Sequence, residues 1–189
     1  MSRLLSIAAL ALAATLPTVV QAADFTFAGG SGTTATASFG SSGLAVNVQG
    51  PSHGGTQDVT YNSNGLGVST GFLDATGIGN GESLTFTFSQ AVNLLNLKLA
   101  EWDLADHATL TWGSNTLNLT GSGVISTQTL SLSGVTGTSF TLTGTSLLTT
   151  FKLNGLTATP AVPEPATYAL MGLGLAGLAA ARRLRKPQA

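Results

Sequence analysis

From residue 83 onward, apolar and polar side chains alternate with a period of two. Leu84, Phe86 and Phe88 fall on one side of residues 83–89, with Thr85 and Thr87 on the other. Leu95, Leu97 and Leu99 repeat the pattern against Asn96 and Lys98, and so do the pairs Leu110/Trp112, Leu117/Leu119, Leu130/Leu132, Phe140/Leu142 and Phe151/Leu153. Successive strand residues point to opposite faces, so this period predicts half-buried strands with one wet face. Turn residues separate them: Gly113-Ser114-Asn115, Gly121-Ser122-Gly123, Gly134, Gly137, Gly144 and Asn154-Gly155. A strand and turn about every ten residues is the spacing of an antiparallel sandwich or barrel. Nothing between residues 24 and 159 reads as a helix. The predicted fold is all-β, an antiparallel β-sandwich of jelly-roll-like or immunoglobulin-like topology.

The first third is less regular. Residues 34–39 and 44–49 read as strands, and residues 50–65, with Pro51, His53 and Asn62-Ser63-Asn64-Gly65, read as a long loop. Such a loop is either a surface excursion or a binding loop held still by the sheets.

Both ends of the chain are different in kind. Arg3 precedes an apolar stretch over residues 4–16, Pro17 follows, and small residues at Val20 and Ala22 fit a signal-peptidase site between Ala22 and Ala23. Near the other end, Pro163-Glu164-Pro165 is followed by an apolar run over residues 166–181 and then by Arg182, Arg183, Arg185 and Lys186. Proline lacks a backbone donor and turns its predecessor away from helix, so the tripeptide is extended and accessible. The run would form a helix of about 24 Å against a hydrocarbon core of about 30 Å, a slightly short transmembrane span. The four cations behind it would stay on the cytoplasmic side. The domain reading is a signal peptide (1–22), a β-sandwich body (23–159) and a C-terminal segment (160–189).

That C-terminal order of motif, apolar helix and basic tail resembles the PEP-CTERM sorting signal of bacterial surface proteins. The resemblance implies recognition by exosortase, a membrane protease-transpeptidase, with a cut near residues 163–165. It implies an inner-membrane precursor whose body passes to the cell surface or the extracellular polysaccharide matrix. The segment over residues 65–110 is also similar to the bodies of other PEP-CTERM proteins, a likeness that implies a β-sandwich and identifies no ligand.

Charge alters the picture for the body. Seven carboxylates face only Lys98 and Lys152, a net charge of −5 that the near-neutral whole chain, at −1, conceals. An acidic body without a basic patch excludes nucleic acid, whose phosphates need Lys and Arg. There are no cysteines, hence no disulfides and no thiolate metal site.

Candidate chemistry is sparse. Asp74 and Glu82 bracket a glycine-rich loop, and Glu101, Asp103 and Asp106 crowd a strand end around Trp102, which alternation turns toward the core. A hairpin turning between Ser89 and Val92 would bring the two clusters to one edge. Two readings follow: a calcium site, since calcium takes six to eight oxygens and glycine loops expose carbonyls, or a solvated acidic rim that keeps edge strands apart. The calcium ligands would be Asp74, Glu82, Glu101, Asp103 and Asp106, and no other cofactor is expected. Glycan binding needs exposed aromatic faces, and only Tyr61 and Trp102 are candidates. Two histidines without a Ser-His-Asp spacing give no catalytic residues, so the chain reads as a non-enzyme. The leading reading is a structural or adhesive surface protein. A calcium- or glycan-binding module comes second, and a secreted hydrolase third.

Overall fold

The computed structural model describes residues 21–50, 58–69 and 76–161, together with 170, 172–174 and 177 near the C-terminus. Within them the chain is antiparallel β-sheet: β1 (Ala23–Thr26), β2 (Gly32–Thr34), β3 (Thr36–Ser41), β4 (Leu44–Gln49), β5 (Asp58–Asn62), β6 (Gly65–Ser69), β7 (Ser83–Trp102), β8 (His107–Trp112), β9 (Asn115–Thr120), β10 (Ser126–Ser131), β11 (Thr136–Gly144) and β12 (Lys152–Pro160). All twelve belong to one hydrogen-bonded sheet, whose main path runs β2-β5-β6-β12-β7-β11-β8-β9. The two separate sheets expected from the sequence are therefore replaced by one connected network.

The connection is β7, which is 20 residues long. Its first half pairs with β11 and β4, and its second half with β12 and β10. This corrects the hairpin expected between Ser89 and Val92. Gln90 and Ala91 carry none of the Asn, Asp or Gly chemistry that a two-residue hairpin turn needs, so the strand runs on through three exposed residues.

The expected phase also slips once. Val92, Leu94, Leu97 and Leu99 are buried, whereas Leu95 is only half-buried. The slip lies at a β-bulge, where Thr157 pairs with Asn96 but Ala158 pairs with Leu94. One extra residue in a strand reverses the facing of all that follow.

Register decides what the two ends of β7 meet. Ser83 pairs with Thr143 at the end of β11, and Ala100 pairs with Lys152 at the start of β12. Only residues 145–151 join those partners, so both ends of β7 come to one side of the molecule. The opposite side holds the middle of β7, the β3–β4 turn, the chain at β10–β11, and the outer ends of β1 and β12. Ala23 pairs with Ala158, and the Ala161 amide donates to Ala91 O at 2.9 Å.

The core collects the predicted apolar faces. Phe86, Phe140, Leu84, Leu97, Leu99, Leu110, Leu142 and Leu153 are all buried. Phe25 of β1 meets Phe88 edge-on with centroids 5.8 Å apart, and Phe27 meets Phe39 at 4.7 Å. Neither contact joins hydrogen-bonded neighbours.

The expected long loop over residues 50–65 is shortened. Residues 58–62 and 65–69 form the β5–β6 hairpin. Its turn is built by the Asn64 amide donating to Asn62 Oδ1 at 2.8 Å, with Gly65 at φ 129°. Tyr61, expected on that loop, packs against the core. Pro51 and His53 lie outside the described residues, as does the N-terminal apolar stretch. Of the C-terminal apolar run, residues 170, 172–174 and 177 are helical. Among the described residues no helix is long and apolar enough to cross a membrane.

Candidate functional site

Four of the carboxylates singled out in the sequence, Glu82, Glu101, Asp103 and Asp106, gather where the ends of β7 meet. The doubling back of β7, rather than a hairpin, brings them there. Residues 76–82 lead into β7, residues 103–106 lead out of it, and residues 145–151 cross between β11 and β12. Backbone bonds stitch the three together: Ile78 N to Phe151 O at 2.6 Å, Gly81 N to Gly144 O at 2.8 Å, and Thr145 N to His107 O at 2.9 Å.

Glu82 accepts the Gly79 amide at 2.6 Å, closing its own loop. Asp103 accepts the Ala105 amide at 2.7 Å. Asp106 is buried and accepts two amides, from Asp103 at 2.8 Å and from Thr150 at 2.9 Å. Burial pushes the Asp106 carboxyl above the usual range. The two amides oppose that rise only in part, and the neighbouring charge of Asp103 adds to it.

Glu101 faces away from this group. Its carboxylate binds the Lys152 ammonium at 2.5 Å and accepts the Asn64 side-chain amide at 2.6 Å. Burial alone would raise its pKa. The hydrogen bonds from Lys152 and Asn64, with the charge of Lys152, outweigh that and hold it below the ordinary value. Glu101 also sits at φ 59°, left-handed backbone that a non-glycine residue adopts at a cost. Lys152, with only 7 % of its side chain exposed, was not singled out from the sequence. Alternation with Phe151 and Leu153 would put Lys152 on the wet face, so its burial had no signal in the sequence.

Glu82, Glu101, Asp103 and Asp106 therefore lie near one another but are engaged by backbone amides, the Asn64 side-chain amide and a lysine. Among the described residues no group of three or more His, Asp or Glu side chains is arranged to hold a metal. Asp74 lies outside the described residues. Trp102, which the sequence left open between core and an exposed stacking face, is fully buried and packs edge-on against Phe151 at 4.8 Å. Its indole N–H has no acceptor among the protein atoms. Gly121 closes over it: a Cβ there would strike the Asp103 carbonyl.

This side of the molecule is also where exposed apolar side chains collect. Among the described residues of the body, Leu104, Val124, Ile125, Leu147 and Leu148 are the large hydrophobics left in solvent. They occupy the 103–106, 121–125 and 145–150 connections, which are tied by Leu104 N to Gly123 O at 3.2 Å and by the Asp106–Thr150 bond. A separate polar groove of about 220 Å³ crosses β1, β12, β7 and β10, lined by Asp24, Thr26, Asn96, Lys98 and Thr129 around Gly155. Its aromatic neighbour, Phe25, is buried and offers no stacking face.

Ala23, expected as the first residue after a signal-peptidase cut, is the first residue of β1 and is buried. Pro163, Glu164, Pro165, Arg182, Arg183, Arg185 and Lys186 lie outside the described residues. Their segment matches a known signal, the family model of the PEP-CTERM protein-sorting motif, over residues 161–186. The chain carries a PEP-CTERM sorting motif. The match begins at Ala161, the residue that follows the last strand. A PEP-CTERM motif implies export, a membrane-anchored precursor and processing by exosortase, itself a membrane protein. No curated protein and no solved structure matches the chain.

Proposed function

We propose that this chain is an exported bacterial β-protein, sorted through its PEP-CTERM motif to the cell surface or extracellular matrix, where it serves a structural or adhesive role. The observation that carries this reading is the sorting match over residues 161–186, starting where the sheet stops. Signal peptidase removes residues 1–22. The apolar run over residues 166–181 then holds the precursor in the inner membrane, with Arg182, Arg183, Arg185 and Lys186 inside. Exosortase cuts near Pro163-Glu164-Pro165 and hands on the body. The body itself is a sandwich folded over at residues 89–91, a reading supported by the contact of Phe25 in β1 with Phe88 in β7, two strands that do not pair, and by that of Phe27, just after β1, with Phe39 in β3. A structural role fits side chains engaged in holding loops rather than aimed into a reaction centre.

Intact mass of the protein recovered from cell envelope and medium tests the proposal. A species beginning at Ala23 and ending near residues 163–165, outside the inner membrane, is the expected result. Recovery only as a membrane species ending at Ala189 refutes sorting. A second reading, contact with extracellular polysaccharide through the polar groove at Asn96 and Lys98, is supported by the hydrogen-bonding groups lining it. Its check is a polysaccharide pull-down lost in Lys98→Ala.

A further inference from the structure

Both membrane-directed segments leave the body from the same side. Ala23 pairs with Ala158 in antiparallel register, so the chain enters β1 beside the place where it leaves β12. The last sheet bond, Ala161 N to Ala91 O, then ties the exit to the middle of β7. From Ala161 to Ala166, where the apolar run begins, there are five residue steps. Fully extended, they span at most about 18 Å. The headgroup layer takes up roughly 5–7 Å of that span, from a bilayer of about 40–45 Å around a core of about 30 Å.

We infer that the end of the sheet carrying Ser42, Gln90, Ala91, Ser114 and Ser133 is a docking face that rests on the headgroups of the anchoring bilayer while the precursor awaits its cut. These residues are exposed and uncharged. They lie in the β3–β4 turn, the crossing of β7, the β8–β9 turn and the β10–β11 connection. Register places all four on the exit side, since Val46 pairs with Phe88, Thr111 with Thr141, and Thr136 with Asn93. The carboxylates Glu82, Glu101, Asp103 and Asp106 sit at the far end. The charges nearest the exit, Asp24 and Lys98, lie on the sheet face and are opposite in sign. Phosphate groups of the headgroups repel carboxylates held within about a Debye length, roughly 8 Å at physiological salt. Polar, neutral turns are the chemistry that tolerates headgroups at that range. The same orientation points the exposed Leu104, Val124, Ile125, Leu147 and Leu148 away from the membrane.

This inference rests on the membrane-anchored reading above, and the experiment separates the two. The chain has no cysteine, so single exposed positions accept an environment-sensitive fluorophore: Ser42→Cys, Ser114→Cys and Ser133→Cys at the exit side, Leu147→Cys and Val124→Cys at the far side. Each labelled full-length chain is reconstituted into phosphatidylcholine–phosphatidylglycerol vesicles containing a headgroup-level nitroxide lipid, with circular dichroism confirming the β fold. The expected result is loss of fluorescence at the exit-side positions and none at the far-side positions. Equal quenching at both ends, or quenching confined to Leu147 and Val124, overturns the docking face while leaving membrane anchoring intact. Failure of the chain to float with the vesicles overturns both readings.

Discussion

Removing the carboxylate of Glu101 tests the account of the β7 end most directly. Lys152 has 7 % of its side chain exposed and Glu101 has 30 %, with nitrogen and oxygen 2.5 Å apart. Breaking a fully buried pair by removing one partner costs about 3–5 kcal/mol, whereas an exposed pair contributes about 0–1 kcal/mol. With the lysine buried and the glutamate partly wet, Glu101→Gln should cost about 2 kcal/mol, most of it from the unpaired ammonium. Lys152→Met should cost less, because the stranded carboxylate can reach water. The double variant should recover part of the loss. Backbone geometry supplies a second discriminant. At φ 59° a side chain carries left-handed strain that glycine does not, so Glu101→Gly should be more stable than Glu101→Ala by about 1 kcal/mol. Urea unfolding of the detergent-solubilised chain, followed by the fluorescence of Trp102 and Trp112, reads these differences. With a slope of about 2 kcal/mol per molar, Glu101→Gln should move the midpoint down by about 1 M. An unmoved midpoint, or Ala and Gly variants that coincide, would refute the reasoning.

Asp106 should show the opposite pH behaviour to Glu101. Burial raises its pKa above the ordinary aspartate value, so the folded state holds the proton more tightly, and its contribution improves as pH falls through the folded value. Glu101 is held below 4.5, so its contribution is complete above that pH and is lost as pH falls through the lower folded value. Asp106→Asn strands one backbone donor at about 1–2 kcal/mol, and its deficit against wild type should widen as pH drops from neutral toward the carboxylate range. Constancy of that deficit from pH 7 to 4 in urea titrations would contradict the burial argument. Trp102→Phe removes an indole N–H with no protein acceptor while keeping an aromatic against Phe151, and should cost about 1 kcal/mol or less. Trp102→Ala should cost about 3–5 kcal/mol by cavity formation, and comparable melting losses for the two would show that the N–H is satisfied.

Much of this protein is local and therefore legible along the chain. Alternation at Leu84, Phe86 and Phe88 dictated a buried face, and it emerged as such, because a strand's facing is set by its own period of two. The sorting signal is linear as well. A membrane enzyme reads a short motif, an apolar run and a basic cluster in order, so residues 161–186 were identifiable without any fold. The β5–β6 hairpin escaped because Gly65 and Gly67, where a Cβ would strike Leu153 and Thr76 backbone respectively, look like loop residues until their neighbours are in place.

What only the tertiary structure decided concerns partners distant in sequence. The carboxylate edge was foreseen, but through a hairpin that does not form. Its cause is β7 running unbroken while β11 and β12 hold its two ends, separated by the short connection 145–151. The pairing of Glu101 with Lys152, 51 residues away, leaves no trace in either residue's local sequence. Neither does the bulge that exchanges Leu95 for Leu94 in the core, nor the meeting of Ala23 with Ala158 that sends both ends of the body out on one side. Side-chain facing is a local property of the backbone, whereas register and proximity depend on which strands pair, and pairing is settled only when the whole sheet buries its apolar face.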